Sequence, residues 1–198
     1  MSSYRIISEV SKLLKQTLWN GFDGDAALTQ HVPDRESIVL INPGENPSQV
    51  RRISLWLYQV QENEFLRNKP KSREANDDTR VRYPALPLNL FYLLTPSTND
   101  VVGDQLVLGR SMQIFHDNAI LRLENPDEPA EAEELRITMC QRDLRELAEV
   151  WEALQQPYRL SVCYEVRVPR IASLRTERVQ RVEDRTFGFE ENETGALR

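Results

Sequence analysis

The chain predicts a mixed α/β (α+β) domain, a mainly antiparallel sheet with about three helices packed on one of its faces. Two observations carry this expectation. Apolar residues recur at helical spacing over 4–18, 100–122 and 143–154, and runs of apolar residues with strand-like alternation occupy 53–66, 86–95 and 159–169. The order is also informative: helix, strands, helix, strand, helix, strand is the order of a sheet built from hairpins and covered by helices.

The first helix is read from Ile6, Ile7, Val10, Leu13, Leu14, Thr17 and Leu18, which form one stripe of an amphipathic helix. Ser2 or Ser3 is its expected cap, and Gly21 and Gly24 mark its exit. Ser37 to Ile41 is a short strand closed by the turn Asn42-Pro43-Gly44. In the long strand 53–66, Ile53, Leu55 and Leu57 share one face; Trp56, Tyr58 and Val60 share the other. Apolar groups on both faces predict a central strand covered on both sides, or covered on one side by a neighbouring subunit. Residues 69–84 are polar, mixed in charge and aperiodic, and are expected to be a long loop.

Leu86, Leu88, Leu90, Tyr92 and Leu94 line one face of the next strand, with Phe91 and Leu93 on the other. A second helix is expected to run to Arg122 with Leu108, Met112, Phe115 and Ala119 inward, followed by an acidic loop over 124–134. Leu135, Ile137 and Met139 alternate in a short strand. Asp143 and Glu146 have capping-box spacing for a third helix, whose stripe is Leu144, Leu147, Ala148, Trp151 and Leu154 and which Pro157 stops. The last strand, Arg159 to Pro169, sends Leu160, Val162, Tyr164, Val166 and Val168 one way and Ser161, Cys163, Glu165 and Arg167 the other.

The core domain is thus expected over 1–171, with 172–198 an extended, partner-binding arm. The arm is charged and lacks a core stripe, but alternates weakly through Val179, Val182, Phe187 and Phe189. Alone it buries too little apolar area to offset its ordering entropy; added to a partner's sheet edge it gains a ladder of backbone hydrogen bonds.

Bulk composition narrows the function. The 198 residues are 40% hydrophobic and 28% charged with a net charge of −6. That sign disfavours a nucleic-acid binder or an anionic-membrane dock. No secretory signal is evident in MSSYRIISEV, and no run reaches the ~18 apolar residues of a membrane span. Synthesis in the cytoplasm is the expectation. Cys140 and Cys163 read as buried free thiols, with a disulfide as the alternative.

No motif for chemistry is found. His31 and His116 are far apart and lack ligand-spaced partners; His31 reads as a loop residue and His116 as structural or surface. Gly109-Arg110-Ser111 is half of a nucleophile elbow inside a helix pattern, where Gly109 is better explained as a close-packing position. The seven glycines form no phosphate cradle, so no cofactor is expected. Asp77, Asp78 and the acidic residues of 124–134 sit in solvated loops. Trp56 and Tyr58 lie on the less regular face of their strand and are candidate interface anchors.

Three segments, LYQVQENEFLRN (57–68), LPLNLFYLLTP (86–96) and LQQPYRLSVCYEVRVPRI (154–171), occur with Leu108-Gly109 before a helix carrying His116. In this order they resemble the N-terminal domain family of cap proteins, the tube or sheath terminators of phage-tail-like contractile injection systems of the virulence-cassette and antifeeding-prophage type. The resemblance runs from about Tyr4 to Ile171. It implies a phage tail-terminator-like fold, no enzymatic activity, and six copies forming a ring on the distal end of tube and sheath. Tube protein, sheath protein and further copies of the chain are then the partners, with Val179, Val182, Phe187 and Phe189 as anchors of a strand-donating arm. The alternative is a non-enzymatic adaptor or chaperone for tube or sheath subunits.

Overall fold

The computed structural model describes residues 4–45, 51–74, 77–124 and 132–179. They fall into two compact units, one of Met1–Lys69 with Ala85–Ala172 and one of Pro70–Pro84 with Ser173–Arg198.

The larger unit contains a six-stranded sheet. Its strands are β1 (Ile38–Val39), β2 (Arg52–Glu62), β5 (Leu86–Ser97), β6 (Ile120–Leu123), β7 (Glu133–Met139) and β8 (Val162–Ile171), in the spatial order β1-β2-β5-β8-β7-β6. Only β1 pairs in parallel; the other pairs are antiparallel. Four helices accompany it among the described residues: α1 (Ile6–Phe22), the single turn α2 (Ala26–Thr29), α3 (Val101–Asp117) and α4 (Leu144–Ala153).

The α1 stripe forms as its spacing requires. Ile6, Val10, Leu14, Leu18 and Phe22 are buried, each four residues after the last. They meet Leu55, Leu88, Leu90, Tyr92, Leu94, Tyr164 and Val166 in the main core. Ser11 and the Tyr92 hydroxyl share a 2.8 Å buried hydrogen bond across this contact. Residues Ser2 and Ser3, the expected caps, lie outside the described residues. Gly21 does not mark the helix exit; it is inside α1, where an added Cβ would stand 2.4 Å from Ile114 Cγ1 on α3. The turn comes at Gly24, which takes φ +83. Arg110 of α3 completes the end of α1, donating from Nε and Nη2 to the Gly21 carbonyl at 3.1 and 2.9 Å.

Helix α4 packs on the opposite face, against Leu93, Cys163 and half-buried Trp56 and Tyr58. Helices therefore cover both faces, and the expectation of a one-sided layer is corrected. The register explains it: Trp56, Leu93 and Cys163 are direct cross-strand neighbours, pointing away from α1 and α3. The capping box is formed as expected: Asp143 accepts from the Glu146 N–H at 2.8 Å, and Glu146 accepts from the Asp143 N–H at 3.1 Å. Leu144, expected in the stripe, is exposed in the first turn, and Trp151 is the fully buried residue.

Several boundaries also shift. The β2 strand ends at Glu62, because the buried Asn63 side chain accepts from the Phe65 N–H and turns the chain. A bulge falls between Leu57 and Gln59 opposite β5, so Tyr58 is the extra residue and parity reverses after it. Val60 is then opposite Leu90 and faces away from Trp56, contrary to the simple alternation. The second helix ends at Asp117, and Ile120–Leu123 is a strand on β7, not a last helical turn. The final strand begins at Val162; Leu160 precedes it and is exposed.

The smaller unit contains a three-stranded antiparallel sheet, β3 (Ser72–Glu74), β4 (Asp77–Arg82) and β9 (Thr176–Arg178), in the order β3-β4-β9. The segment expected to be a loop is therefore largely a hairpin, and the root of the arm is its third strand. Polar residues on both faces hid this hairpin from any period-2 search.

Candidate functional site

Chemistry has little to work with among the described residues. No group of three or more His, Cys, Asp or Glu is arranged to hold a metal ion. No helix is long and apolar enough to cross a membrane. His116 is exposed in the last turn of α3. His31 lies in a turn, as expected of a loop residue, and is buried there. Its ring lies where a Cβ on Gly103 would sit, 2.6 Å from Cε1, so Gly103 rather than Gly109 is the close-packing glycine of α3. Gly109 faces open space. Ser111 is buried and donates to the Val107 carbonyl at 2.8 Å, a helix-internal bond that leaves it no nucleophilic role.

Surfaces are more informative. Between β2 and α4 runs a groove of about 480 Å³, lined by Trp56, Tyr58, Gln59 and Gln61 on one side and by Arg142, Glu146 and Val150 on the other. The bulge builds it: Tyr58 and Gln59 both turn toward α4 because two residues oppose one there. Trp56 and Tyr58 have ring centroids 6.0 Å apart, and Tyr58 and Phe91 6.3 Å. Tyr58 donates its hydroxyl to Cys163 Sγ at 3.7 Å, and burial holds that hydroxyl above its ordinary pKa. The rim carries the Arg142–Glu146 ion pair at 2.6 Å, whose hydrogen bond keeps the Glu146 carboxyl below its usual range. Both predicted aromatics thus lie in one groove, half-buried.

Most of the adjacent edge of β2 is unpaired among the described strands. β1 pairs with β2 only at Ile53 and Ser54, so from Leu55 to Glu62 no described strand lies on that side of β2.

In the smaller unit, Tyr83 organises the root of the arm. Its N–H donates to the Arg175 carbonyl at 3.2 Å and its hydroxyl to Glu177 Oε2 at 3.1 Å. Lys71 Nζ and the Arg175 guanidinium lie 4.3 and 4.2 Å from its ring centroid. Lys71 also pairs with Glu177 at 2.6 Å. Val179, a predicted anchor, is exposed, and its N–H donates to the Thr79 carbonyl at 2.8 Å. Val182, Phe187 and Phe189 lie outside the described residues.

Sequence reasoning missed the bulge that turns Tyr58 and Gln59 together, and it missed Tyr83. No alternation signals a bulge before the partner register is known.

No curated protein sequence matches the chain. Among solved structures the chain is similar to the sheath/tube terminator, in the extended state, of a PVC extracellular contractile injection system. The TM-score is 0.67 at 17% identity, over 99% of this chain and 67% of that one. It is also similar to the tube-terminating cap of the anti-feeding prophage, with TM-score 0.55 at 19% identity, over 82% of this chain and 57% of that one. At these identities the likeness establishes a shared terminator-type fold. The family model described as Pvc16 N-terminal domain matches residues 9–184. The chain belongs to the Pvc16 N-terminal domain family.

Proposed function

We propose that this chain is a structural cap that closes the distal end of the inner tube and contractile sheath of a phage-tail-like injection particle. It acts as a hexameric ring without enzymatic chemistry. The observation that carries the reading is the shared fold: 99% of the chain superposes on a protein described as a sheath/tube terminator.

The physical logic is that of an edge that must be closed. A polymer of strand-exchanging subunits ends in unpaired backbone groups, and a terminator has to pair them without offering a new edge. The domain 1–171 supplies the ring body in this reading. The arm 172–198 donates the closing strand, with β9 setting its starting direction and Val179, Val182, Phe187 and Phe189 as its anchors. Trp56 and Tyr58 are the proposed subunit anchors, beside that edge of β2. A closed ring uses one heterologous interface repeated around an axis.

Copy number and position in purified particles test this. Six copies at the end of each particle are expected. A chain that promotes assembly but is absent from the finished particle is an adaptor or chaperone instead. Deleting 180–198 is expected to abolish capping while leaving the larger unit folded; unchanged capping sinks the arm's role.

A further inference from the structure

We propose that Cys140 and Cys163 are a latent cross-strand disulfide that ties β7 to β8 and closes the loop carrying α4. The antiparallel register places Met139 opposite Tyr164, so the next step puts Cys140 opposite Cys163. The ladder continues there, with the Cys140 N–H donating to the Cys163 carbonyl at 2.8 Å. Residues that face each other across hydrogen-bonded antiparallel strands have Cα atoms about 5.5 Å apart. A disulfide asks for Cα atoms about 4.4–6.8 Å apart and Cβ atoms about 3.5–4.5 Å apart. Directly opposed strand residues hold their Cβ atoms about 4.5–5.5 Å apart, so closing the bond draws the two Cβ atoms together by up to about 1 Å. Directly opposed residues also point to the same face. Here that face is the one under α4, where both cysteines pack with Trp151 and Leu93. Both are free thiols in the structure.

The arrangement sets the order of events. Cys140 is half-buried and Cys163 buried, so Cys140 meets a reagent first. With a low-molecular-weight disulfide such as oxidised glutathione, the Cys140 thiolate attacks one sulfur and releases one reduced glutathione. The thiolate of Cys163 then attacks the Cys140 sulfur of the mixed disulfide and expels the second. Two protein thiols are oxidised, one glutathione disulfide is reduced to two glutathione thiols, and the protons given up by the cysteines are taken up by the two expelled glutathione thiolates. Burial pushes the Cys140 thiol up to about 11 and raises Cys163 as well, so the reaction is slow at neutral pH and quickens as pH rises. The bond closes residues 141–162, which contain α4 and its capping box. Cross-linking that loop removes freedom from the unfolded chain. Tyr58, on the groove, donates to the Cys163 sulfur, so oxidation turns that acceptor from a thiol into a disulfide sulfur and the redox state reaches the candidate interface.

The test incubates the full chain with oxidised glutathione at pH 8.5, followed by intact-mass analysis, peptide mapping and thermal unfolding. The expected product is a monomer lighter by two hydrogen atoms, mapped to a Cys140–Cys163 link, with a raised Tm that a reductant reverses. Cys140→Ser, treated in the same way, is expected to show neither change. Two accessible thiols after prolonged treatment of the folded chain, a stable glutathione adduct on Cys140, or disulfide-linked dimers would each overturn the proposal.

Discussion

The contact between Gly21 and Ile114 is the tightest test of how α1 and α3 are fitted together. Replace Gly21 by Ala. A Cβ built there stands 2.4 Å from Ile114 Cγ1, 2.5 Å from Cδ1 and 3.1 Å from Cγ2. Because both branches of the isoleucine are within range, no rotation about its Cα–Cβ bond clears the new methyl. Ile114 is 4% exposed and has nowhere to withdraw, so the helices must separate. Overpacking of this kind costs about 1–3 kcal/mol. Alanine recovers up to about 1 kcal/mol in helix propensity over glycine. The net expectation is a loss of about 1–2 kcal/mol, read as a lowered midpoint in urea followed by Trp19 and Trp151 fluorescence. Ile114→Ala alone is expected to lose about 2–5 kcal/mol through its cavity. In the double variant the methyl of residue 21 enters that cavity, so the two losses should sum to more than the observed one. A Gly21→Ala protein as stable as the native chain, or losses that simply add, would refute the close approach.

Further predictions concern other parts of the chain. Asp143→Ala removes the acceptor of the capping box and should lower stability by about 1 kcal/mol in the same urea assay. Tyr83→Ala removes the ring between Lys71 and Arg175 and the partner of Glu177; trypsin cleavage after Arg175 and Arg178 should accelerate, with no change in the urea midpoint of the larger unit. Alkaline pH should destabilise the fold. Burial lifts Cys140 from its ordinary 9.0 to about 11 and both Tyr92 and Tyr164 from 10.0 to about 12, so the unfolded chain releases these protons first. Their contribution is fully present below pH 9 and is lost as pH rises through 11 and 12. Stability measured at pH 8 and pH 10.5 should differ, and Cys140→Ser should shrink the difference.

Much of the architecture was legible because it depends on periodicities local to one element. The α1 stripe, the β5 faces and the Asp143–Glu146 cap all follow from spacing within a single segment. What was illegible depends on partners distant in sequence. The bulge at Tyr58 exists only relative to β5, and it reverses the faces of everything after it. The hairpin β3–β4 exposes polar side chains on both faces, and β9 is too short to show alternation. Helix α4 sits on the far face because Leu93 and Cys163 point there, and that follows from strand register, not from the stripe of α4. For the candidate surfaces, Trp56 and Tyr58 were found as apolar residues in excess of one buried face. The groove between them and α4 required the fold.

The most direct measurement is the length of tubes and sheaths assembled with and without this chain, by electron microscopy of particles from otherwise matched preparations. A cap predicts a narrow length distribution with the chain present and long, unterminated tubes and sheaths without it. An unchanged distribution in its absence would contradict the account.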